Sequence, residues 1–166
     1  FKSRAEVGHI RKAVKATVAA HKQAMRICRP GLTEYQLEAE LLHQFALHGA
    51  RAPAYPPIVG GGANGCILHY TENSDALRDG DLVLIDAGGE YECYAADVTR
   101  TFPVSGHFSP AQKALYDLVL DAQLAAVDKM QPGNHWNDPH EAAVRVLTKG
   151  LVKLGLLKGS VPRLIK

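Results

Sequence analysis

Hydrophobic residues recur along the chain with two periods, which separate helical segments from extended ones. Four segments carry apolar residues at the three- and four-residue spacing of an amphipathic helix. Each follows a capping signal, in which Ser, Thr or Asp precedes Glu or Gln by three residues. The pattern therefore predicts four helices, whose cap residues are Ser3, Thr33, Ser109 and Asp138.

Extended segments lie between the second and third predicted helices. Residues 58–59 predict a short strand that runs into the glycines at 60–62, and the apolar residues 66–70 predict another strand. Residues 82–87 and 94–104 predict the two arms of an antiparallel hairpin. Helices that bracket a run of strands favour the α+β class, with helices packed on one face of an antiparallel sheet.

Two aspartates, Asp86 and Asp97, interrupt the apolar pattern of the predicted hairpin. With the turn centred between Tyr91 and Glu92, their side chains would face each other, with Cβ atoms about 4.5–5.5 Å apart. Two carboxylates at that distance repel, unless one stays protonated or a cation lies between them. The residues alone leave two interpretations open, a structural pair of carboxyl groups and a site for a divalent metal ion.

Composition and charge narrow the classes of protein further. The chain has 166 residues, of which 46% are hydrophobic, and this length is typical of one domain with a substantial core. Its formal net charge is +2 and it has no block of like charges, so neither a nucleic acid nor a membrane is predicted as a partner. Three cysteines without a C-x-x-C spacing indicate free thiols in a reducing compartment, and so a cytoplasmic location.

Three stretches carry a resemblance to a known family. Residues 64–73, 79–88 and 94–106 include the motifs LHYTEN, LVLIDAG and ADVTRTFPVSG, and they closely resemble Xaa-Pro aminopeptidases (aminopeptidase P). These enzymes are pita-bread metallopeptidases, as are prolidase, methionine aminopeptidase and creatinase. The resemblance extends across nearly all of the chain and implies that residues 1–166 are the first half of a pita-bread catalytic domain. The chain starts with Phe1 and not with a methionine, so we expect it to be a segment of a longer protein.

The resemblance implies a hydrolase that releases the N-terminal residue of peptides with proline in second position. Asp86 matches an aspartate that binds one metal ion, and Asp97 matches an aspartate that bridges two. His69, which on pattern alone reads as a half-buried structural residue, matches a catalytic histidine near the substrate. The family typically uses two Mn(II) ions, whose preference for hard oxygen ligands suits carboxylates. Hydroxide activated by the two metals would attack the scissile carbonyl without an acyl-enzyme.

The chain departs from the family in the number of metal ligands that it carries. The family's dinuclear site has two aspartates, one histidine and two glutamates, and only the aspartates are matched here. The isolated chain is therefore expected to be inactive and to bind metal weakly or not at all. It is also expected to associate with itself through the surface that normally meets the second half of the domain.

Three alternatives to this function remain open on the sequence. The first is prolidase or another aminopeptidase of the same fold, because the residues that set substrate length are not identified. The second is a non-catalytic pita-bread module that binds peptides, against which the retained Asp86, Asp97 and His69 argue. The third is a structural Ca(II) or Mg(II) site made only of carboxylates.

Overall fold

The computed structural model describes residues 1–165 and consists of two compact units, Phe1–Phe108 and Ser109–Lys166. The elements of the first unit are α1 (Arg4–Ile27), α2 (Glu34–Leu47), β1 (Ala52–Pro53), β2 (Ile58–Gly61), a 3-10 helix (Gly62–Cys66), β3 (Leu82–Ala87), β4 (Gly89–Tyr91), β5 (Tyr94–Ala95) and β6 (Val98–Pro103). The second unit contains α3 (Pro110–Asp128), α4 (Asp138–Lys153) and the short α5 (Val161–Leu164). Within residues 1–165, none of the helices has the length and apolar character that crossing a lipid bilayer requires.

Capping side chains are present at two of the predicted helix starts. The Ser3 hydroxyl accepts a hydrogen bond from the Glu6 amide at 3.3 Å, and the Glu6 carboxylate accepts one from the Ser3 amide at 2.6 Å. Ser109 and Gln112 form the same reciprocal pair at the start of α3. These bonds satisfy amides that have no partner within the helix, and they confirm both predicted starts.

The other two predicted starts differ in accuracy. Helix α2 begins directly after Thr33, as predicted, and the Gln36 side chain accepts a hydrogen bond from the Thr33 amide at 2.9 Å. The cap predicted at Asp138 is wrong by one residue, because Asn137 precedes the first helical residue of α4. The Asp138 carboxylate instead accepts a hydrogen bond from the amide of His135, at 2.8 Å, in the turn before the helix.

The core of the first unit lies between helices α1 and α2 and an antiparallel sheet in the order β2-β3-β6. Along β3, Val83 and Ile85 are buried, whereas Leu84 and Asp86 are only half-buried. The buried face packs with small side chains of α1 and large ones of α2, namely Ala16, Ala20, Ala24, Leu37, Leu41 and Phe45. Because alternate residues of a strand point to opposite faces, Asp86 projects from the face away from these helices. The predicted α+β class with an antiparallel sheet is confirmed.

The register of the hairpin differs from the predicted one by two residues. Asp86 pairs with Thr99 of β6 and not with Asp97, so the prediction that the two aspartates face each other is wrong. The turn consists of Glu92 and Cys93, whose φ angles are 49° and 65°. Positive φ at both central residues suits a tight hairpin turn, but Gly or Asn usually occupies those positions. The Glu-Cys pair lacks that signal, and the turn was therefore predicted one residue too early.

The strand predicted at residues 66–70 is also wrong. The chain forms the 3-10 helix up to Cys66 and then a turn. A Cβ on Gly60 would lie 2.8 Å from the backbone nitrogen of Gly65, so the chain folds back on itself at these glycines. Ile67 and Leu68 are 53% and 85% exposed, so these two apolar side chains do not pack in the core of the unit, whereas Tyr70 is buried.

Candidate metal centre

Asp86 lies near the end of the central strand of the three-stranded sheet. Its backbone pairs with Ile58 of β2 on one side and with Thr99 of β6 on the other. Because both neighbouring strands hold the backbone, the pleat of the sheet determines the direction of the side chain. The result is a half-buried carboxylate on the face away from the helices.

Asp97 lies in the short link between β5 and β6 and is exposed. Its position depends on Gly88, the residue that follows β3. A Cβ on Gly88 would collide with the carbonyl oxygen of Ala96 and would lie 3.2 Å from the amide nitrogen of Asp97. Only glycine permits this approach, so Gly88 brings Asp97 next to the end of the strand that carries Asp86.

The two carboxylates meet at the hydroxyl of Tyr55, a residue that the sequence analysis did not identify. The oxygen of this hydroxyl lies 2.6 Å from Oδ1 of Asp86 and 3.0 Å from Oδ1 of Asp97. The aspartates are therefore close to each other although they are not paired in the hairpin. No local signal marks Tyr55, because it precedes β2 and contacts residues 31 and 42 positions away.

The arrangement of Tyr55, Asp86 and Asp97 favours the binding of a cation. Burial raises the pKa of Tyr55, and its hydrogen bonds to the two carboxylates raise it further, so the phenol keeps its proton. A single hydroxyl proton then serves two carboxylates, and among residues 1–165 neither carboxylate forms an ion pair with a basic side chain. A divalent cation would supply the missing positive charge, and carboxylate oxygens are suitable ligands for Mg, Ca and Mn. The residues present therefore fit a metal ion.

A cavity of about 270 Å³ opens beside the aspartates. Its lining consists of Tyr55, Pro56, Ile58, His69, Thr71, Asp86 and Asp97. His69 is exposed, and its φ of 57° is in the left-handed region, which is uncommon for a residue other than glycine. A second cavity of about 300 Å³ shares Ile58, His69 and Asp86 with the first. The imidazole therefore lies where a molecule next to the aspartates would contact it.

The segment that carries Tyr55 is held by a buried asparagine. Asn73 is 1% exposed, and its Oδ1 accepts a hydrogen bond from the Val59 amide at 2.9 Å. Its side-chain nitrogen donates to the carbonyl of Pro57 and to the carboxylate of Glu38, both at 2.9 Å. Asn73 thus joins the start of β2 to α2. Its role was not apparent from the sequence, where it is one of several polar residues in a loop.

The fully buried carboxylate of Glu34 stabilises the loop that follows β2 in the chain. Glu34 accepts hydrogen bonds from the amides of Gly61 and Asp75, from the Asn64 side chain and from the Tyr70 hydroxyl, at 2.7 to 3.1 Å. Burial raises the pKa of Tyr70, and its hydrogen bond to the Glu34 carboxylate raises it further. Four donors satisfy a charge that would otherwise be costly to bury. This network connects the first turn of α2 to the loop that leads to His69.

The two aspartates provide only part of a metal site. Within residues 1–165, no group of three or more His, Cys, Asp or Glu side chains is arranged to hold a metal ion. His69 lines the same cavity as the aspartates but does not complete such a group. A metal ion held by this pair alone would keep most of its water ligands.

The fold and the paired aspartates agree with a family of metal-dependent peptidases. Residues 8–163 match metallopeptidase family M24, and the chain belongs to this family. The recognition made from the three motifs is thereby confirmed.

Individual relatives make the resemblance more specific. The chain is 53% identical to the Xaa-Pro aminopeptidase of Escherichia coli (strain K12) over 165 residues, which are 99% of this chain and 37% of that protein. The structure of Pseudomonas aeruginosa aminopeptidase PepP matches 99% of the chain with a TM-score of 0.98 and 59% identity, again over 37% of its own chain. Zn-substituted E. coli aminopeptidase P in complex with product matches with a TM-score of 0.97, at 53% identity, over 99% of this chain and 38% of that one. These matches confirm that the chain has the fold of part of a pita-bread enzyme. The chain spans little more than a third of the length of each of these relatives.

Proposed function

We propose that the protein containing this chain is a metal-dependent aminopeptidase that releases the N-terminal residue of peptides with proline in second position. The observation that carries this proposal is the convergence of Asp86 and Asp97 on one hydroxyl beside a cavity. The names of the relatives, Xaa-Pro aminopeptidase and aminopeptidase P, supply the substrate class. Residues 1–166 are then the first half of the catalytic domain, and further metal ligands come from the remainder of the protein.

Each residue of the site has a distinct role in this proposal. Asp86 would hold one metal ion, and Asp97 would contribute to holding both. Two Mn(II) ions suit these oxygen ligands, although one solved relative carries zinc by substitution. Such metals lower the pKa of water and polarise a carbonyl group. His69, at the edge of the cavity, donates or accepts a hydrogen bond at the peptide and moves a proton as the bond is cleaved.

The test uses the intact protein that contains this chain. The variants D86N and D97N remove one metal ligand each while preserving size, and D79N changes an exposed aspartate in a turn as the control. We expect the parent protein and D79N to retain Mn(II) and to cleave an Xaa-Pro peptide faster than the matching Xaa-Ala peptide. D86N and D97N should lose both bound metal, measured by elemental analysis, and hydrolysis. Unchanged metal content in both variants would refute the assignment of the ligands.

The same assay separates the alternative activities. Cleavage only of the dipeptide Xaa-Pro, with longer peptides left intact, would identify a prolidase. Peptide binding without hydrolysis, at any metal concentration, would identify a non-catalytic module. Retention of metal with no effect on either peptide would favour a structural Ca(II) or Mg(II) site.

The isolated 166-residue chain should differ from the intact protein. Two carboxylates bind Mn(II) weakly, so the isolated chain should release no amino acid from an Xaa-Pro peptide. Hydrolysis at a rate close to that of the intact protein would contradict this expectation. The cytoplasmic location and the absence of nucleic-acid and membrane partners remain predictions.

Self-association of the isolated chain is a separate part of the proposal. Strand β6, of six residues, is an edge of the β2-β3-β6 sheet, and an edge strand of this length is a template for pairing with another chain. We expect light scattering to detect dimers or larger species as the concentration rises. A monodisperse monomer at high concentration would refute this expectation.

A further inference from the structure

We propose that Tyr55 is a positioning residue that holds the carboxylates of Asp86 and Asp97 together as one pair of metal ligands. This inference rests on the proposed function, because it concerns the same site. Tyr55 would act through the aspartates and would not itself bind the metal ion.

The hydrogen bonds of Tyr55 leave the other oxygen of each carboxylate for a metal ion. The hydroxyl contacts Oδ1 of Asp86 at 2.6 Å and Oδ1 of Asp97 at 3.0 Å. Oδ2 of both aspartates carries no hydrogen bond from Tyr55, and each Oδ1 keeps a second lone pair, so a cation can bind without displacing Tyr55. Hydrogen bonds of this kind orient metal ligands, and their loss typically lowers metal affinity by about 10- to 100-fold.

The position of Tyr55 is determined by the backbone and not by the aspartates. The amide of Ala54, next to Tyr55, donates to the carbonyl of Gly88 at 2.8 Å. On the other side, Pro57 is held by Asn73 and Ile58 is paired with Asp86. The segment is thus fixed at both ends to the strand that carries Asp86. The phenol therefore projects from a segment that is anchored by hydrogen bonds on both sides, which favours accurate orientation of a ligand.

Asp97 depends most on this contact. Asp86 lies within a strand that is paired on both sides, whereas Asp97 is exposed and lies outside the strands. Two ionised carboxylates repel each other, so without the shared hydroxyl the Asp97 side chain would turn towards solvent. The hydroxyl thus has a function that the aromatic ring alone cannot perform.

The first measurement requires no metal. The variant Y55F keeps the ring and removes the hydroxyl, and Y35F makes the same change at an exposed tyrosine of α2. In the intact protein that contains this chain, freed of metal and labelled with ¹³C at aspartate carboxyl groups, we expect Y55F to shift the signals of both Asp86 and Asp97 at constant pH. Y35F should leave both signals in place. If Y55F moves neither signal, the hydroxyl does not hold the pair and the inference is refuted.

The second measurement is the Mn(II) affinity of the intact protein that contains this chain, read from the relaxation of water protons. We expect Y55F to bind Mn(II) about 10-fold more weakly than the parent, and Y35F to bind it equally well. Equal or tighter binding of Mn(II) by Y55F would refute the inference.

The two proposals fail in distinguishable ways. If D86N and D97N bind Mn(II) as well as the parent does, the assignment of the metal ligands fails, and the positioning role in metal binding fails with it. If D86N and D97N lose Mn(II) but Y55F does not, only the role of Tyr55 is refuted.

Discussion

Replacement of Glu34 by glutamine tests the reasoning about buried polar groups most directly. Glu34 is completely buried, and each of its oxygens accepts two hydrogen bonds. Oε1 accepts from the Gly61 amide at 2.7 Å and from the Asn64 side chain at 3.1 Å. Oε2 accepts from the Tyr70 hydroxyl at 2.7 Å and from the Asp75 amide at 2.9 Å. Glutamine has the same shape but only one acceptor oxygen.

Either orientation of the new amide leaves one backbone N–H without an acceptor. If the amide nitrogen takes the place of Oε2, the Asp75 amide is left without an acceptor. If it takes the place of Oε1, the Gly61 amide is left without a partner. A buried donor without an acceptor costs about 1–3 kcal/mol. The loss of hydrogen bonds to a charged acceptor makes the substitution more costly. The removal of a buried charge makes it less costly. We therefore expect Glu34→Gln to lower the free energy of unfolding by about 2 kcal/mol.

The assay is urea unfolding of the 166-residue chain followed by circular dichroism. The control is Glu72→Gln, which makes the same chemical change at an exposed position in the loop after His69. We expect the urea midpoint of Glu34→Gln to fall with an unchanged slope. The free energy of unfolding of Glu72→Gln should stay within about 0.5 kcal/mol of the parent value. A loss below about 0.5 kcal/mol in Glu34→Gln would refute the view that this network needs all its acceptors.

Three further predictions concern other parts of the chain. Burial lowers the pKa of His21, so the unfolded chain binds a proton more readily than the folded one. The contribution of His21 to stability is then complete above about pH 6.5 and declines as the pH falls below that value, and the variant H21Q should lose this part of the pH dependence in thermal unfolding. Burial raises the pKa of Cys28 to about 11, so at pH 8 iodoacetamide should modify the exposed Cys66 and Cys93 before Cys28, as read by peptide mass spectrometry. Equal rates at the three thiols would contradict this expectation. The variant S109A removes the cap of α3 and should lower the free energy of unfolding by about 1 kcal/mol in urea titration, and an unchanged midpoint would show that the cap is dispensable.

The features that the sequence predicted correctly depend on residues close together in the chain. The starts of α1 and α3 follow from Ser3 and Ser109, each of which bonds a residue three positions away. The central strand follows from the short, mainly apolar run of residues 82–87. The motifs around Asp86 and Asp97 identified the family, and they did so without knowledge of which residues are paired. These signals are local, so they are complete within a single short segment.

Only the tertiary structure decided how these segments meet. The Glu92-Cys93 turn has no glycine or asparagine to reveal its position, and the register of the hairpin was therefore predicted wrongly. Tyr55 contacts the two aspartates, and Glu34 accepts from four donors, over separations of 27 to 42 positions in the chain. Only the packing of the sheet and helices brings these residues together. The sequence by itself thus determined the helices, the central strand and the identity of the acidic pair. The arrangement of the pair required the tertiary structure, because strand pairing and side-chain packing, and not local propensity, set the distances between its atoms.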